Sequence, residues 1–242
     1  MKALPHAGEK HGETVCCAGL TREGLWRRLF PVPFRRLKSD SKFQRWQRIS
    51  YACRIPKDDN RSESRRIEQE GIKITGKIRP SERARFLTPR ILPSVEEAAR
   101  RGQSLTLIRP HDLRFIATKK SEEEIFKERE NFRQAAIQKS FLDRELKELS
   151  PCPYKFHFKY KTEDNKRHSS LCDDWETTAT FYRRSKTMSD EQAIESMRQT
   201  YEIDFANAGV AFAMGTHSKY PKTWLLIGVI RLDEEKQLGF GI

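Results

Sequence analysis

The chain has 242 residues, and its 47 Lys and Arg against 34 Asp and Glu give a net charge of +13 at pH 7. Mean hydropathy is −0.79, and no stretch approaches the roughly 18–20 consecutive apolar residues of a membrane-spanning helix. We therefore expect no membrane association. The first 13 residues contain no apolar run typical of a signal peptide, and the five dispersed cysteines do not suggest a disulfide framework. These features predict a cytoplasmic protein.

The first third of the chain reads as strands separated by turns. Residues 13–20 favour a pleated surface, residues 21–24 carry a turn signal, and residues 25–30 return to a strand pattern, which predicts a hairpin. Pro31 and Pro33 are expected to end the second strand, because proline cannot donate to a sheet. One short helix over 40–46 and a third strand over 48–55 follow.

The next segments alternate polar and apolar character. Residues 56–70 are almost entirely polar and charged, which predicts an exposed loop or a solvated helix start that orders on a partner. Residues 71–79 indicate a strand broken near Gly76, residues 94–101 a helix with a capping-box start, and residues 104–108 and 113–117 two more strands. This half is therefore β-rich.

The second half begins with a change of composition. Residues 121–149 predict a long helix, broken at most once, which Pro151 and Pro153 stop. A strand over 154–160, a polar turn over 162–170, a helix over 189–205 and two strands over 211–214 and 224–230 complete the pattern. The predicted fold class is α+β, with a β-rich basic domain over 1–118, a helical linker over 119–150 and an α+β domain over 151–242.

The basic charge is concentrated between residues 21 and 66, where 14 Lys and Arg against 5 Asp and Glu give a net charge of +9. Arginine suits phosphate groups, and interleaved aromatic side chains suit stacking on bases. The predicted phosphate contacts are Arg27, Arg28, Arg35, Arg36, Arg45 and Arg48, and the predicted stacking residues are Trp26, Phe34 and Trp46. The same pattern is also typical of a β core of aromatics with arginines solvating its outside.

Short motifs in both halves of the chain carry a resemblance to a known group. Cys17 to Gly19, Gly24 and residues 26–32, together with residues 152–154, 174–176, 212–216 and 221–228, resemble an uncharacterised group of bacterial proteins. More distantly they are similar to proteins with a dual OB-fold domain. The resemblance implies an OB-like first domain, which binds single-stranded nucleic acid on one sheet face, and an origin in mobile or defence loci. It implies no catalytic residues.

Two clusters suggest metal chemistry. Cys152, His157, His168 and Cys172 have residue types that suit zinc, although their spacing matches no standard site and an exposed histidine on a strand is a simpler interpretation. Asp173, Asp174 and Glu176 offer carboxylates for a divalent ion, as a nuclease needs, but also fit a solvated turn with a helix-capping aspartate. We expect no bound metal and no cofactor.

The sequence therefore predicts binding rather than catalysis. The leading hypothesis is a DNA- or RNA-binding component that is a subunit of a larger bacterial, defence-related complex and contacts phosphates through its arginine-rich, aromatic-interleaved surface. One alternative is a metal-dependent nuclease using Asp173, Asp174 and Glu176. Another is a structural subunit whose basic face docks an acidic protein partner.

Overall fold

A computed structural model describes residues 1–8, 12–68, 71–137, 149–217 and 220–234. In its first half the strands are β1 (His6–Gly8), β2 (Gly12–Leu20), β3 (Trp26–Val32), β4 (Gln47–Ser50), β5 (Cys53–Arg54), β6 (Ser64–Ile67) and β7 (Lys73–Lys77). The strands of the second half are β8 (Ile91–Leu92), β9 (Leu105–Ile108), β10 (His111–Lys119), β11 (Tyr154–Lys161), β12 (Arg167–Leu171), β13 (Val210–Thr216) and β14 (Trp224–Arg231). The helices are α1 (Pro80–Leu87), α2 (Val95–Arg100), α3 (Glu122–Ile137), α4 (Trp175–Arg184) and α5 (Asp190–Arg198), which continues as a π-helix over Gln199–Phe205. The α+β fold class is confirmed.

The predicted hairpin of β2 and β3 is confirmed, and it builds the first sheet. Its turn closes through a bond from the Gly24 amide to the Thr21 carbonyl at 3.0 Å. Gly24 has φ = 85°, a left-handed conformation that glycine adopts without steric cost. A Cβ atom at Gly24 would displace the Arg90 guanidinium, which is the far end of a flexible side chain, so the positive φ is the main reason for glycine here.

The first half forms an open sheet and a separate ribbon. The sheet has the order β1-β2-β3-β6-β5, with β3 and β6 parallel, and β4 pairs with β7 as a two-stranded antiparallel ribbon. Across the described ranges these strands do not close into a barrel, so the OB-like character of the first domain is not confirmed. Ile49 and Ile74 pack the ribbon against a core that contains Leu29, Val32 and Phe43.

The second half contains a four-stranded sheet of order β14-β13-β9-β8 and a three-stranded sheet of order β10-β11-β12. The predicted helix over 94–101 is confirmed as α2, where the Ser94 hydroxyl accepts from the Glu97 amide and Gly102 follows with φ = 67°. The predicted helix over 189–205 is also confirmed, with a capping box of Ser189 and Gln192 at its start.

A cluster of apolar side chains joins the two halves. Leu105, Leu107 and Ile230 from the four-stranded sheet are buried together with Ala18 of β2 and Leu87 of α1. Partly buried residues of the first half pack against this cluster, among them Leu20, Trp26, Trp46 and Phe86. This junction places the hairpin end, β4 and α1 side by side.

Several local predictions are wrong. Residues 40–46 contain no α-helix, and the 3₁₀ turn there covers only Ser39–Ser41. Pro31 lies inside β3, after a cis peptide bond. The polar turn predicted over 162–170 includes strand β12, and α1 was not predicted. Of the long helix predicted over 121–149, α3 confirms residues 122–137, whereas residues 138–148 lie outside the described residues.

The polar segment 56–70 is not a simple exposed loop, because it contains β6 with Ser64 and Ile67 buried. Arg61 pairs with Asp59 at 2.6 Å and donates to the Thr216 carbonyl at 3.1 Å. Burial alone would raise the pKa of Asp59, but hydrogen bonds from Arg61 and Ser64 outweigh it and lower this pKa to about 2. Ion pairs and hydrogen bonds to other groups of the protein thus order this segment.

Strand pairing crosses both predicted domain boundaries. β10, which begins before residue 118 and ends at Lys119, pairs with β11, after residue 151, and β9 pairs with β13. The division at 118 and 150 stays a prediction about folding units. Among the described residues, no helix is long and apolar enough to cross a membrane.

Candidate nucleic-acid interface

A cavity of about 410 Å³ opens where the β2–β3 hairpin meets β4 and α1. We call it the aromatic cavity, because its walls include the rings of Trp26, Trp46, Tyr51 and Phe86. Its deep side reaches the apolar junction at Leu107 and Ile230. Pockets of this size are typical of small-molecule ligands, and their walls are predominantly apolar with a few polar groups.

Trp46 lies in the wall of the cavity and has a strained backbone conformation. Its φ is 72°, a left-handed conformation that bulky residues rarely adopt. The Trp46 carbonyl accepts from the Ile78 amide at 2.8 Å, which fixes the turn before β4. The Arg83 guanidinium lies 4.7 Å from the centre of the indole ring, and Arg83 is anchored in turn by Asp233 at 2.8 Å. The indole is therefore fixed in place before any ligand binds. Backbone strain of this kind clusters at binding and catalytic sites.

Four arginines surround a second depression of about 390 Å³ beside the aromatic cavity. We call them the arginine rim: Arg22, Arg48, Arg85 and Arg90. Leu20, Ile78 and Phe86 line both depressions, so the two are continuous. Throughout the described ranges, no carboxylate oxygen lies within 4.0 Å of a rim guanidinium nitrogen. The rim thus presents positive charge that the protein does not neutralise by contact.

Two carboxylates line these depressions, but each has an internal partner. Glu82 accepts from the Arg79 amide at 3.0 Å as part of the cap of α1. The hydrogen bond with Thr21 lowers the pKa of Glu23, so this side chain holds its charge at the hairpin turn. Arg90 stacks at 4.6 Å on the Phe86 ring and donates to the Phe86 carbonyl. These contacts give the rim its shape without pairing its charges.

The ribbon extends the basic surface beyond the rim. Arg48 on β4 and Lys73 and Lys77 on β7 are exposed, whereas the intervening Ile49 and Ile74 face the core. This alternation follows from the two-residue period of a strand. Because Arg48 belongs to both rim and ribbon, we define the basic track as the arginine rim together with Lys73 and Lys77.

The structure brings five of the nine predicted site residues to the aromatic cavity: Trp26, Arg27, Arg45, Trp46 and Arg48. Arg48 is exposed, and Arg27 is half-buried with its guanidinium donating to the Trp26 carbonyl at 2.8 Å. Arg45 lines the cavity, but its guanidinium donates to both carboxylate oxygens of Asp174, at 2.9 and 3.1 Å, and to the Val229 carbonyl. Arg45 therefore connects the halves of the protein.

The other four predicted residues lie away from the cavity. Arg28 is 6 % exposed and donates to the Ser104 carbonyl at 3.1 Å, with Glu63 at 4.0 Å. The Phe34 ring packs edge-on against Phe43 and Trp175. Two further arginines of this group, Arg35 and Arg36, are half-buried. Arg35 pairs with Glu13 at 2.7 Å, and the Arg36 Nε atom is buried with no hydrogen-bond partner among the described residues. Arg28 and Phe34 thus stabilise the fold in this structure.

Sequence reasoning did not select several residues of the surface: Arg22, Lys73, Lys77, Arg85 and Arg90. Arg85 lies on α1, and Arg90 follows that helix. A signal for the helix was present, because Pro80 at its first position and Glu82 in its first turn are typical of a helix start. Recognising α1 would have placed Arg85 on a helix, but only the tertiary structure brings Arg85 and Arg90 beside the hairpin turn.

The carboxylates of the suggested nuclease site are engaged within the protein. Asp174 is 1 % exposed, caps α4 through the Glu176 amide at 3.1 Å and accepts from the Val229 amide at 3.0 Å. Glu176 lies 3.2 Å from Arg45. Burial, with the charge of Asp174, raises the pKa of Asp173 from 3.8 to about 7. Arg45 thus occupies the position between Asp174 and Glu176 that a cation would need.

The suggested zinc ligands do not form a centre either. The His168 ring stacks on Tyr160 at 5.3 Å and contacts the Thr162 hydroxyl at 2.9 Å. Cys172 is buried, and its amide donates to the Phe156 carbonyl in the sheet. In the part of the chain that the structure describes, no group of three or more His, Cys, Asp or Glu side chains could hold a metal ion.

Family models divide the chain at a different position from the predicted domains. A domain of unknown function (DUF8758) matches residues 1–89, and a second (DUF8757) matches residues 90–240. The first segment has 21 Lys and Arg against 10 Asp and Glu, so it carries +11 of the net charge of +13. No curated protein and no solved structure matches the chain. The chain belongs to the uncharacterised family defined by DUF8757, preceded by a basic DUF8758 domain.

Proposed function

We propose that the protein binds nucleic acid through the basic track. The observation that carries this proposal is the distribution of arginine partners. Arg28, Arg45 and Arg61 are paired within the protein, whereas the rim arginines surround the depression beside the aromatic cavity with no carboxylate in contact among the described residues. A cluster of cations that does not contribute ion pairs to the fold costs stability through mutual repulsion, which favours a role in binding an anion.

The chemistry of the basic track matches a sugar-phosphate backbone. Arginine offers a planar set of donors that can hold one phosphate by two parallel hydrogen bonds, and lysine adds point charges along the ribbon. Phosphate contacts supply affinity without sequence preference, and the aromatic cavity beside them suits contact with a base. We therefore place phosphates on Arg22, Arg48 and Arg85, with Lys73 and Lys77 extending the path.

An acidic protein would be attracted to the same surface. Nucleic acid is favoured because the rim borders a cavity with aromatic walls, which a carboxylate-rich peptide surface would leave empty. The nuclease alternative is not proposed further, since Arg45 engages both Asp174 and Glu176. Membership of a larger bacterial or defence-related complex stays a prediction, and so does an OB-like first domain.

Fluorescence anisotropy of labelled DNA and RNA over a salt series tests the proposal. The logarithm of the binding constant should fall linearly with the logarithm of salt concentration, by about 0.7–0.9 per phosphate contact. Parallel samples with Mg²⁺ and with EDTA should contain intact nucleic acid on a gel. Failure to bind any nucleic acid at low salt would overturn the proposal, and Mg²⁺-dependent fragments would replace it with nuclease activity.

A further inference from the structure

We infer that the aromatic cavity holds one unpaired base of a bound strand, which makes single-stranded nucleic acid the preferred ligand. This inference rests on the proposed function and specifies the substrate of the same site. It combines three observations: the volume and walls of the cavity, the fixed position of Trp46, and the continuity of the cavity with the arginine rim.

The cavity is suited to one planar aromatic ligand. Its volume of about 410 Å³ lies in the range of small-ligand pockets, about 300–1,000 Å³. Trp26, Trp46 and Tyr51 offer ring surfaces on which every base can stack, because each base has a π-face. Gln44, Gln47 and Thr75 add polar groups to the lining, which can hydrogen-bond the edge of a base.

The Trp46 indole is pre-organised for this contact. Arg83 lies over the ring at 4.7 Å and is itself fixed by Asp233, so the indole does not need to be ordered when the ligand binds. Ordering a side chain on binding costs about 0.5–1.5 kcal/mol, and pre-organisation avoids that cost. The folded protein keeps the backbone of Trp46 in a left-handed conformation, which belongs to the same fixed arrangement of the indole.

The positions of rim and cavity select the type of strand. Phosphates on Arg22 and Arg48 place the strand at the mouth of the cavity, because these two residues line both depressions. A base in a duplex is stacked and paired, and it reaches a cavity only after it leaves the stack at an energetic cost. A base in a single strand avoids most of that cost. Single strands are therefore expected to bind more tightly than duplexes of equal length.

Gly19 allows the cavity to be filled without altering its charges. It lies on β2 and lines the cavity, and a Cβ atom there would have no neighbour within 4 Å in the described part of the chain. Gly19→Phe should occupy the space of the base while leaving the basic track intact. The matched control is Thr118→Phe, which adds the same ring at an exposed strand position of β10.

Binding of three labelled ligands tests the inference: a single strand, the same strand in a duplex, and a sugar-phosphate strand of equal length without bases. The wild type should bind the normal single strand at least tenfold more tightly than the abasic strand, since one stacked base contributes about that factor. Gly19→Phe should lower the single-strand affinity by roughly tenfold with an unchanged salt slope, and Thr118→Phe should have no effect. If circular dichroism shows that Gly19→Phe is unfolded, Thr75→Phe at the exposed mouth replaces it with the same expectation.

The outcomes separate the two proposals. Equal affinity for the normal and the abasic strand would overturn the base-binding cavity, and so would a folded Gly19→Phe protein with wild-type affinity. In either case a steep salt dependence would leave the proposed function standing. Absence of binding to all three ligands would overturn both proposals.

Discussion

Replacing Arg45 should lower the stability of the protein without weakening its contacts to nucleic acid. The Arg45 guanidinium donates to both oxygens of Asp174, which is 1 % exposed, and so neutralises a buried carboxylate. Removing one partner of a buried pair typically costs about 3–5 kcal/mol. The amides of Val229 and Glu176 continue to donate to Asp174, so we expect Arg45→Met to lie near the lower end of this range.

A loss of about 3 kcal/mol corresponds to a Tm decrease of about 6–12 °C for a chain of this size. Calorimetry or circular dichroism of the purified protein measures it, with Arg48→Met as the matched control. Arg48 is exposed and belongs to the rim, so Arg48→Met should change stability by less than about 0.5 kcal/mol. The salt slope of binding should show the opposite pattern, with a decrease of about 0.7–0.9 for Arg48→Met alone.

A double-mutant cycle isolates the contribution of the pair. Asp174→Asn keeps an oxygen that can cap α4, because asparagine is as good an N-cap as aspartate. Combining it with Arg45→Met should cost less than the sum of the single changes, since no buried charge remains unpaired. An Arg45→Met protein with the wild-type Tm and a lower salt slope would show instead that Arg45 contacts the ligand.

Three further changes follow from the fold. The pKa of Asp173 is raised from 3.8 to about 7 by burial and by Asp174, so the stability this group contributes is present below about pH 4 and is lost as the pH rises to about 7. Over that interval the unfolding free energy of the wild type should therefore fall by at most about 4 kcal/mol relative to that of Asp173→Asn. Unfolding free energies from urea denaturation that change equally with pH in the two proteins would contradict this. Gly24→Ala should cost more than about 1 kcal/mol, because of its φ of 85° and the nearby Arg90 guanidinium, and a smaller loss in urea unfolding would mean that the turn relaxes. Ser94→Ala should cost about 1 kcal/mol through loss of the α2 cap, whereas Ser94→Asp should retain most of that stability.

The elements predicted correctly are those with local signals. The β2–β3 hairpin follows from strand patterns around a turn that needs glycine, and α2 follows from its Ser94 cap and Gly102. The polar strand β6 was missed because hydrophilic residues in it and just before it have partners inside the protein. The Ser64 hydroxyl donates to Asp59 at 2.7 Å, and Asp59 also pairs with Arg61. A sequence pattern cannot distinguish such internal pairs from solvated charges.

The same limit applies to the site. The concentration of arginine and aromatic residues pointed to a segment that contributes five of its nine predicted residues to the aromatic cavity, but it did not show which arginines are paired within the protein. Arg45 and Asp174 are 129 positions apart in the chain, and Arg28 and Ser104 are 76 apart. Only the tertiary structure brings these groups together. The rim was incompletely predicted because Arg85 lies on α1, whose few apolar residues give little periodicity.

A comparison of two triple variants tests whether the basic track contacts phosphates. Arg22, Arg48 and Arg85 are changed to alanine in one variant, and exposed Lys159, Arg167 and Lys186 in the other, so both lose the same charge. We predict that the salt slope of single-strand binding decreases by about 2–3 in the first variant and by less than 1 in the second. Equal slopes in the two variants would contradict the account, because net charge rather than the basic track would then determine binding.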